Sequence, residues 1–449
     1  MRRLLLSLLV CFTTLIQSYG QSAGGNILPY PILQTKMANG LNVVTVPYDS
    51  PGLVAFYIVV RVGSRDEIEP GKTGFAHFFE HMMFRGTEKY SKEQYSDALK
   101  ATGASANANT WLDRTVYHMT GNAEMLEKMF ELESDRFMNL KYSVQDFKTE
   151  AGAVKGEYTK NSASPYVQLN EKMQDVAFSK HTYKHTTMGF FEDVVNMPNQ
   201  FDFSLEFFKR FYRPEYTTLI VVGDVNAEKV NGLAQKYFGS WKRGTYVNTI
   251  PPEPEQTATK YAHVKMEGFP PALSMNYKSP AFGKGNKEVV ALDLLLTILF
   301  SEKSALYKKL VVNEQKVRSL EANVMFTRDP YLAQIDASVK EPADLQYVRN
   351  EITKTLKNAA TSPMDGKDIK ETKMRMRYGF AMGLDSPTKI AENLSYFTWV
   401  TGEPESINTV FKMVDQITPE DMMAAAKKYL TDTRLTLATI SPDEKCPVK

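Results

Sequence analysis

Two kinds of hydrophobic periodicity alternate along the chain. Gly40-Leu41-Asn42-Val43-Val44-Thr45-Val46 and the stretch from Leu53 to Val62 are rich in β-branched residues. Tyr48-Asp49-Ser50-Pro51-Gly52 separates them, so the pattern predicts two strands and a turn. The period then becomes helical over residues 73–85 and again over 91–100, where Ser91 and Gln94 have capping-box spacing. Residues 104–110 and 114–120 read as a strand pair. Residues 122–138 return to helical spacing through Met125, Met129, Leu132 and Phe137. Ile250-Pro251-Pro252-Glu253-Pro254 marks an extended connection. Beyond it the order of elements repeats: strands near 261–266 and 272–277, then a helix from Lys287 to Leu299. A helix to Tyr429 and a strand over 434–440 close the chain as residues 211–225 close the first part. Two α+β halves follow from this repeat.

Length supports the division, because 449 residues exceed what one core organises. At the N-terminus, Arg2 and Arg3 precede a 13-residue, mostly apolar run from Leu4 to Ile16, too short to span a membrane easily. Residues 1–20 therefore read as a signal peptide, with cleavage after Gly20, and the processed chain carries no membrane anchor. Export places it in the periplasm or the extracellular medium. Losing Arg2 and Arg3 lowers the basic count from 54 to 52, equal to the 52 acidic residues. No charge run points to nucleic acid. The cysteines are Cys11 and Cys446, so the processed chain forms no internal disulfide, and thiolate metal sites are excluded.

The chemistry concentrates in His77-Phe78-Phe79-Glu80-His81. His77 and His81 are four apart on a helical period, so both imidazoles leave one face, and Glu80 lies beside them. Two neutral imidazoles on one face chelate a divalent metal. A neighbouring carboxylate that does not ligate can take a proton from water there. The order is H-x-x-E-H, the inverse of the commoner H-E-x-x-H. A third ligand is still required. Downstream, Glu150, Val154 and Glu157 share one helical face, although spacing alone makes Glu157 a solvated helix carboxylate. Gly152 and Gly156 are spaced to let a neighbouring helix approach closely. His181 and His185, among Lys180, Tyr183 and Lys184, read as a surface loop; His118 reads as a packed strand residue, and His263 carries no partner signal.

Residues 74–87 and 147–157 together resemble the pitrilysin/insulysin family of zinc peptidases, in its short, mitochondrial-processing-peptidase-like form. That family carries H-x-x-E-H, a third ligand Glu about seventy-five residues on, and a further Glu seven before that ligand. Here Glu157 follows His81 by 76 residues, and Glu150 precedes Glu157 by seven. The resemblance implies one Zn2+ per chain held by His77, His81 and Glu157. It makes Glu80 the general base and Glu150 a carboxylate that orients the site. Asn107-Ala108-Asn109-Thr110, followed by Asp113, Thr115 and Tyr117, resembles the family's edge strand, which pairs with extended substrate. Phe211-Tyr212-Arg213-Pro214, leading to Thr217–Val225, resembles the last strand of the family's first domain.

The implied fold is two homologous α/β-sandwich halves, each a mixed or antiparallel sheet covered by helices. They would occupy 33–240 and 258–449, joined by a Pro-rich linker over 241–257, with the metal in the first half alone. The implied activity is zinc-dependent cleavage of peptide bonds in extended peptides or unfolded segments. A non-catalytic family subunit serving assembly or peptide binding is the alternative. Single-chain members carry in their distal half an Arg and, seven residues later, a Tyr that bind the substrate carbonyl. Aligned on Glu314-Gln315, Val311 and Arg318 stand in those places. The expected partner is therefore a similar-sized homologous subunit supplying the Arg/Tyr pair, with a homodimer as the alternative arrangement.

Overall fold

The computed structural model describes residues 25–283 and 285–449. The expected leader, 1–20, lies outside the described residues. Strands β1 (Leu33–Lys36), β2 (Asn42–Pro47), β3 (Leu53–Val60), β4 (Ser105–Thr110), β5 (Thr115–Asn122) and β6 (Thr217–Gly223) form one sheet, ordered β1-β2-β6-β3-β5-β4. Strands β7 (Lys260–Lys265), β8 (Ala272–Lys278), β9 (Val317–Val324), β10 (Leu332–Val339) and β11 (Leu435–Ser441) form a second, ordered β7-β11-β8-β10-β9. Apart from β1, the wiring is the same. In each sheet the closing strand, β6 or β11, runs parallel to the entering strand, β2 or β7. It runs antiparallel to the next, β3 or β8, and each sheet ends in an antiparallel hairpin pair. The expected repeat is therefore present as a repeated mixed sheet covered by helices.

The first half carries α1 (Phe75–Met82), α2 (Lys92–Ala101), α3 (Leu126–Asn139), α4 (Val144–Asn161), α5 (Pro165–Ala177), α6 (Phe191–Asn196), α7 (Phe201–Phe211) and α8 (Ala227–Phe238). The second carries α9 (Lys287–Leu299), α10 (Ala305–Tyr307), α11 (Leu345–Ala359), α12 (Gly366–Met382), α13 (Pro387–Thr401), α14 (Ser406–Gln416) and α15 (Pro419–Tyr429). Ser91 Oγ caps α2 and Gln94 returns the bond, so that capping box forms as its spacing predicts.

The two sheets exchange a helix. On one face of β3 and β6, Phe56, Ile58, Leu219 and Val221 share a core with residues of α1, α3 and α7, and Phe56 stacks on Phe130 of α3. The opposite face, with Tyr57, Val59, Ile220 and Val222, is covered by α13 from the second half. Reciprocally, α5 from the first half lies on β7 and β11. Polar bonds cross the same boundary: Arg61 Nε donates to Trp399 O at 3.1 Å, and Gln174 Nε2 to Tyr331 Oη at 2.7 Å. The proline-rich connection is extended, but Glu253 ties it down by accepting from the backbone N–H groups of Ser179, Lys180 and His181.

Two sequence expectations fail here. Lys180–His185 is not a surface loop: His181 and His185 are only 3% and 4% exposed. His181 Nε2 lies 3.0 Å from Asp329 Oδ2, and Phe178, Tyr183 and Tyr331 pack their rings together beside it. Aromatic burial thus outweighs the two lysines, whose charged ends reach solvent. Gly152 and Gly156 admit no neighbouring helix, since a Cβ on either would meet nothing within 4 Å. The packing face of α4 is the opposite one, carrying Phe147, Ala151 and Val154.

Candidate metal centre

The site is built on α1 and α4. The eight-residue α1 starts at Gly74, whose φ of +89° suits glycine, and whose Cβ, if present, would stand 2.8 Å from Met188 O. Glu67, buried, accepts from Gly74 N at 2.8 Å and Ala76 N at 2.7 Å, holding two of the free N–H groups of the first turn. Phe75, Phe78 and Phe79 face the core, with Phe79 stacked on Phe207 at 5.5 Å between centroids. Tyr117 of β5 fixes the last turn through Oη, which donates to Phe79 O at 3.1 Å and bonds Tyr212 Oη at 2.8 Å. With the aromatics committed inward, the helical period turns His77 and His81 toward α4, whose Phe147 meets Phe78 at 5.0 Å.

His77, His81 and Glu157 each bring one donor atom into a group whose members lie within 4.8 Å of one another. Glu157 Oε2 is 3.2 Å from His81 Nε2 and 3.7 Å from His77 Nε2. Among the described residues this is the one cluster of His, Cys, Asp and Glu able to hold a metal ion. Glu150 is buried; its Oε1 lies 3.0 Å from His81 Nδ1 and its Oε2 accepts from Arg85 Nε. Burial raises the Glu150 carboxyl, but its bonds to His81 and Arg85 prevail and hold it below the ordinary value. With Glu150 as the acceptor of Nδ1–H, the Nε2 lone pair of His81 faces Glu157. Burial, reinforced by His81, lowers His77, while the Glu150 bond raises His81. Glu80 is half-buried next to both rings and makes no ion pair with a basic side chain among the described residues. The donor set, two imidazoles and a carboxylate with further carboxylates alongside, suits a divalent ion such as zinc.

Asn107, Ala108, Asn109 and Thr110 lie together on β4, the open edge of the first sheet, and β4 packs beside α1. Trp111 N donates to Arg114 O at 2.8 Å, so the antiparallel alternation turns the backbone groups of Ala106, Ala108 and Thr110 away from β5. Asn107 Oδ1 accepts from Ala108 N at 2.9 Å on that open side.

Comparison with known proteins places this geometry. The sequence profile of the insulinase family, peptidase family M16, matches residues 43–189, and that of the M16 inactive domain matches 201–376. The chain belongs to peptidase family M16. The zinc protease PqqE of Helicobacter pylori is 26% identical over 417 residues, covering 90% of this chain and 92% of that protein. The mitochondrial-processing peptidase subunit beta of Lentinula edodes is 22% identical, covering 92% and 90%. A Helicobacter pylori protease of known structure superposes with a TM-score of 0.85 at 26% identity, over 92% of this chain and 100% of that one. At 17% identity, the periplasmic protease PqqL of Escherichia coli shares the fold (TM-score 0.77) over 93% of this chain and 48% of its own.

Sequence reasoning passed over three residues that build this M16 centre. Arg85 stands four after His81, and that i, i+4 spacing was the readable signal for its place beside Glu150. Glu67 gave only the weak signal of an acidic residue ahead of a helix. Arg114 Nη1 donates to Asn109 O at 2.8 Å and also to Asn109 Oδ1, bracing the edge strand; nothing in the sequence announces that.

Proposed function

We propose that this M16 protein is a zinc-dependent metalloendopeptidase acting on extended peptides or unfolded segments. The observation that carries the reading is the convergence of His77, His81 and Glu157, with Glu80 beside them and, among the described residues, without an ion-pair partner. One Zn2+ per chain is held by these three side chains. When bound, the ion polarises the scissile carbonyl and lowers the pKa of water at the site. The Glu80 carboxylate accepts the proton of the attacking water and returns it to the leaving nitrogen. Glu150 orients His81 and is itself oriented by Arg85. The open side of β4, from Asn107 to Thr110, pairs with the substrate backbone, so selection is for extended chain. The zinc-protease names of relatives such as Helicobacter pylori PqqE support the class.

The metal-bearing half spans 33–240, the linker 241–257 and the second half 258–449. A similar-sized homologous subunit supplies the Arg and Tyr for which Val311 and Arg318 stand here. The family's mitochondrial-processing peptidase, whose beta subunit is a relative, supports such pairing. The chain is exported after loss of residues 1–20, to the periplasm or beyond the cell. No described helix is long and apolar enough to cross a membrane.

The test is cleavage of quenched, unfolded peptides by the purified chain, with metal content measured alongside. One zinc per chain with chelator-sensitive cleavage is the expected result, supplied by this chain alone or on adding its partner. Absence of bound zinc would overturn the reading in favour of a non-catalytic subunit.

A further inference from the structure

Away from the metal centre, a cavity of about 590 Å3 lies between the proline-rich connection and the end of β8. That volume suits a small ligand. Three residues lining it each bury a side-chain atom that has no hydrogen-bond partner: Lys278 Nζ, Ser279 Oγ and Gln256 Oε1. Leaving such atoms unpaired is costly, and three around one cavity point to a ligand. Gln256 Nε2 donates to Leu435 O at 2.8 Å and to Ala258 O at 3.0 Å, so Oε1 is fixed as the free acceptor. Leu435 pairs with Tyr277, which sets the Gln256 amide beside Lys278 at the end of β8.

Lys278 is 8% exposed. Its nearest carboxylate, Glu253, is 3.9 Å away and already occupied by three backbone N–H groups. The ammonium sits 3.1 Å above the Phe178 ring centre, a contact that favours a cation yet accepts no directed hydrogen bond. Burial, partly opposed by Glu253, pushes Lys278 down to about 7, so an anion placed on it would restore its charge. Of the other cations close by, Arg65 is committed to Asp66, Asp113 and Asp329, Arg434 pairs with Glu255 at 3.6 Å, and Lys260 Nζ donates to Ala177 O at 3.1 Å. With Glu253, Glu255 and Asp329 lining the cavity and the two arginines already paired, the surroundings admit one carboxylate and disfavour a dianion.

We propose that this cavity binds a small zwitterion, an α-amino acid or a dipeptide, with its carboxylate on Lys278 and Ser279 and its ammonium on Gln256. The experiment is titration calorimetry of the purified full chain, with chelator present to silence the metal centre. The probes are glycine, alanine and alanyl-alanine, set against acetate, methylamine and inorganic phosphate. Saturable binding of the zwitterions is expected, at least about ten-fold tighter than acetate or methylamine. Lys278→Met, Gln256→Leu and Ser279→Ala each weaken it by about that factor, while Glu80→Gln leaves it unchanged. Thermal melts confirm which variants are folded, and Ser279→Ala serves if Lys278→Met is not. No binding, phosphate or acetate binding as tightly as the amino acids, or unchanged affinity in the folded variants would each overturn the proposal.

Discussion

At the scale of single residues, the proposed function divides the centre into groups that would hold the metal and groups that would act beside it. Glu80→Gln keeps the shape of the side chain and the convergence of His77, His81 and Glu157, so zinc content stays near that of the parent. Its loss as a base should cost about 10²–10⁴-fold in kcat. His77→Ala, His81→Ala and Glu157→Gln each remove a donor and should lower zinc content itself; Glu157→Gln with undiminished zinc would exclude it as a ligand. Arg85 gives a finer test. It touches no metal donor but holds Glu150, which holds His81 Nδ1 at 3.0 Å. Arg85→Met should weaken zinc affinity by roughly 10–100-fold, and Arg85→Lys should recover part of it. A structural role confined to the end of α1 would lower thermal stability and leave zinc affinity unmoved. The common face of His77 and His81 was legible because helical geometry makes i, i+4 histidines neighbours whatever surrounds them. Glu157 was not legible from spacing: its meaning depends on α4 lying across α1, a long-range packing carried by Phe78 and Phe147. The family resemblance, rather than periodicity, pointed to it.

At the scale of elements, the short α1 depends on what holds its first turn, and pH reports on that. Glu67 is fully buried and its carboxyl is pushed up to about 8, chiefly by burial, with its Ala76 and Gly74 N–H bonds pulling the other way. His185, whose Nδ1 is 3.7 Å from Glu67 Oε2, is pushed down to about 4, again chiefly by burial. The signs follow from proton counts. Between about 4 and 6.5 the unfolded chain binds more protons at His185 than the native one, so its contribution is lost as pH falls through that window. Between 4.5 and about 8 the native chain binds more at Glu67, so that contribution is lost as pH rises. The two slopes oppose each other over their overlap, and single variants should separate them. His185→Phe should gain stability relative to the parent as pH drops from 6.5 to 4, by at most about 1.4 kcal/mol per pH unit. Glu67→Gln should gain relative to the parent as pH rises toward 8. Denaturant melts across pH measure both, and parallel curves for parent and variants would refute the assignment. Elements with a strong local signal were legible to within a few residues: α2 from its capping box, α9 from its apolar run, β3 from its β-branched content. The His181–His185 stretch was not, because its burial comes from Tyr331 and Asp329, nearly 150 positions away in sequence.

At the scale of the whole molecule, the repeat was visible in the order of elements, but the exchange of helices was not, since sequence order assigns α5 to the first half and α13 to the second. That exchange decides how the chain folds. The face of β3 and β6 formed by Tyr57, Val59, Ile220 and Val222 is covered chiefly by α13, whose Ile390, Ala391 and Leu394 share its core, with Ile27 and Leu28 joining from the N-terminal side. The reciprocal cover of β7 and β11 comes from Leu169 and Met173 of α5. A fragment of residues 25–256 would therefore present an apolar sheet face to water, at roughly 25 cal/mol for each Å2 exposed. Expressed alone, it should bind a hydrophobic dye, melt without a sharp transition and hold zinc poorly, because β4 and β5 of the same sheet support α1. Co-expression with residues 257–449 should restore a soluble complex. The intact chain should unfold in one calorimetric transition whose van't Hoff and measured enthalpies agree, since neither half has a complete core without the other. Two well-separated transitions, or a 25–256 fragment that melts cooperatively with bound zinc, would show that the exchanged helices add stability without making the halves interdependent.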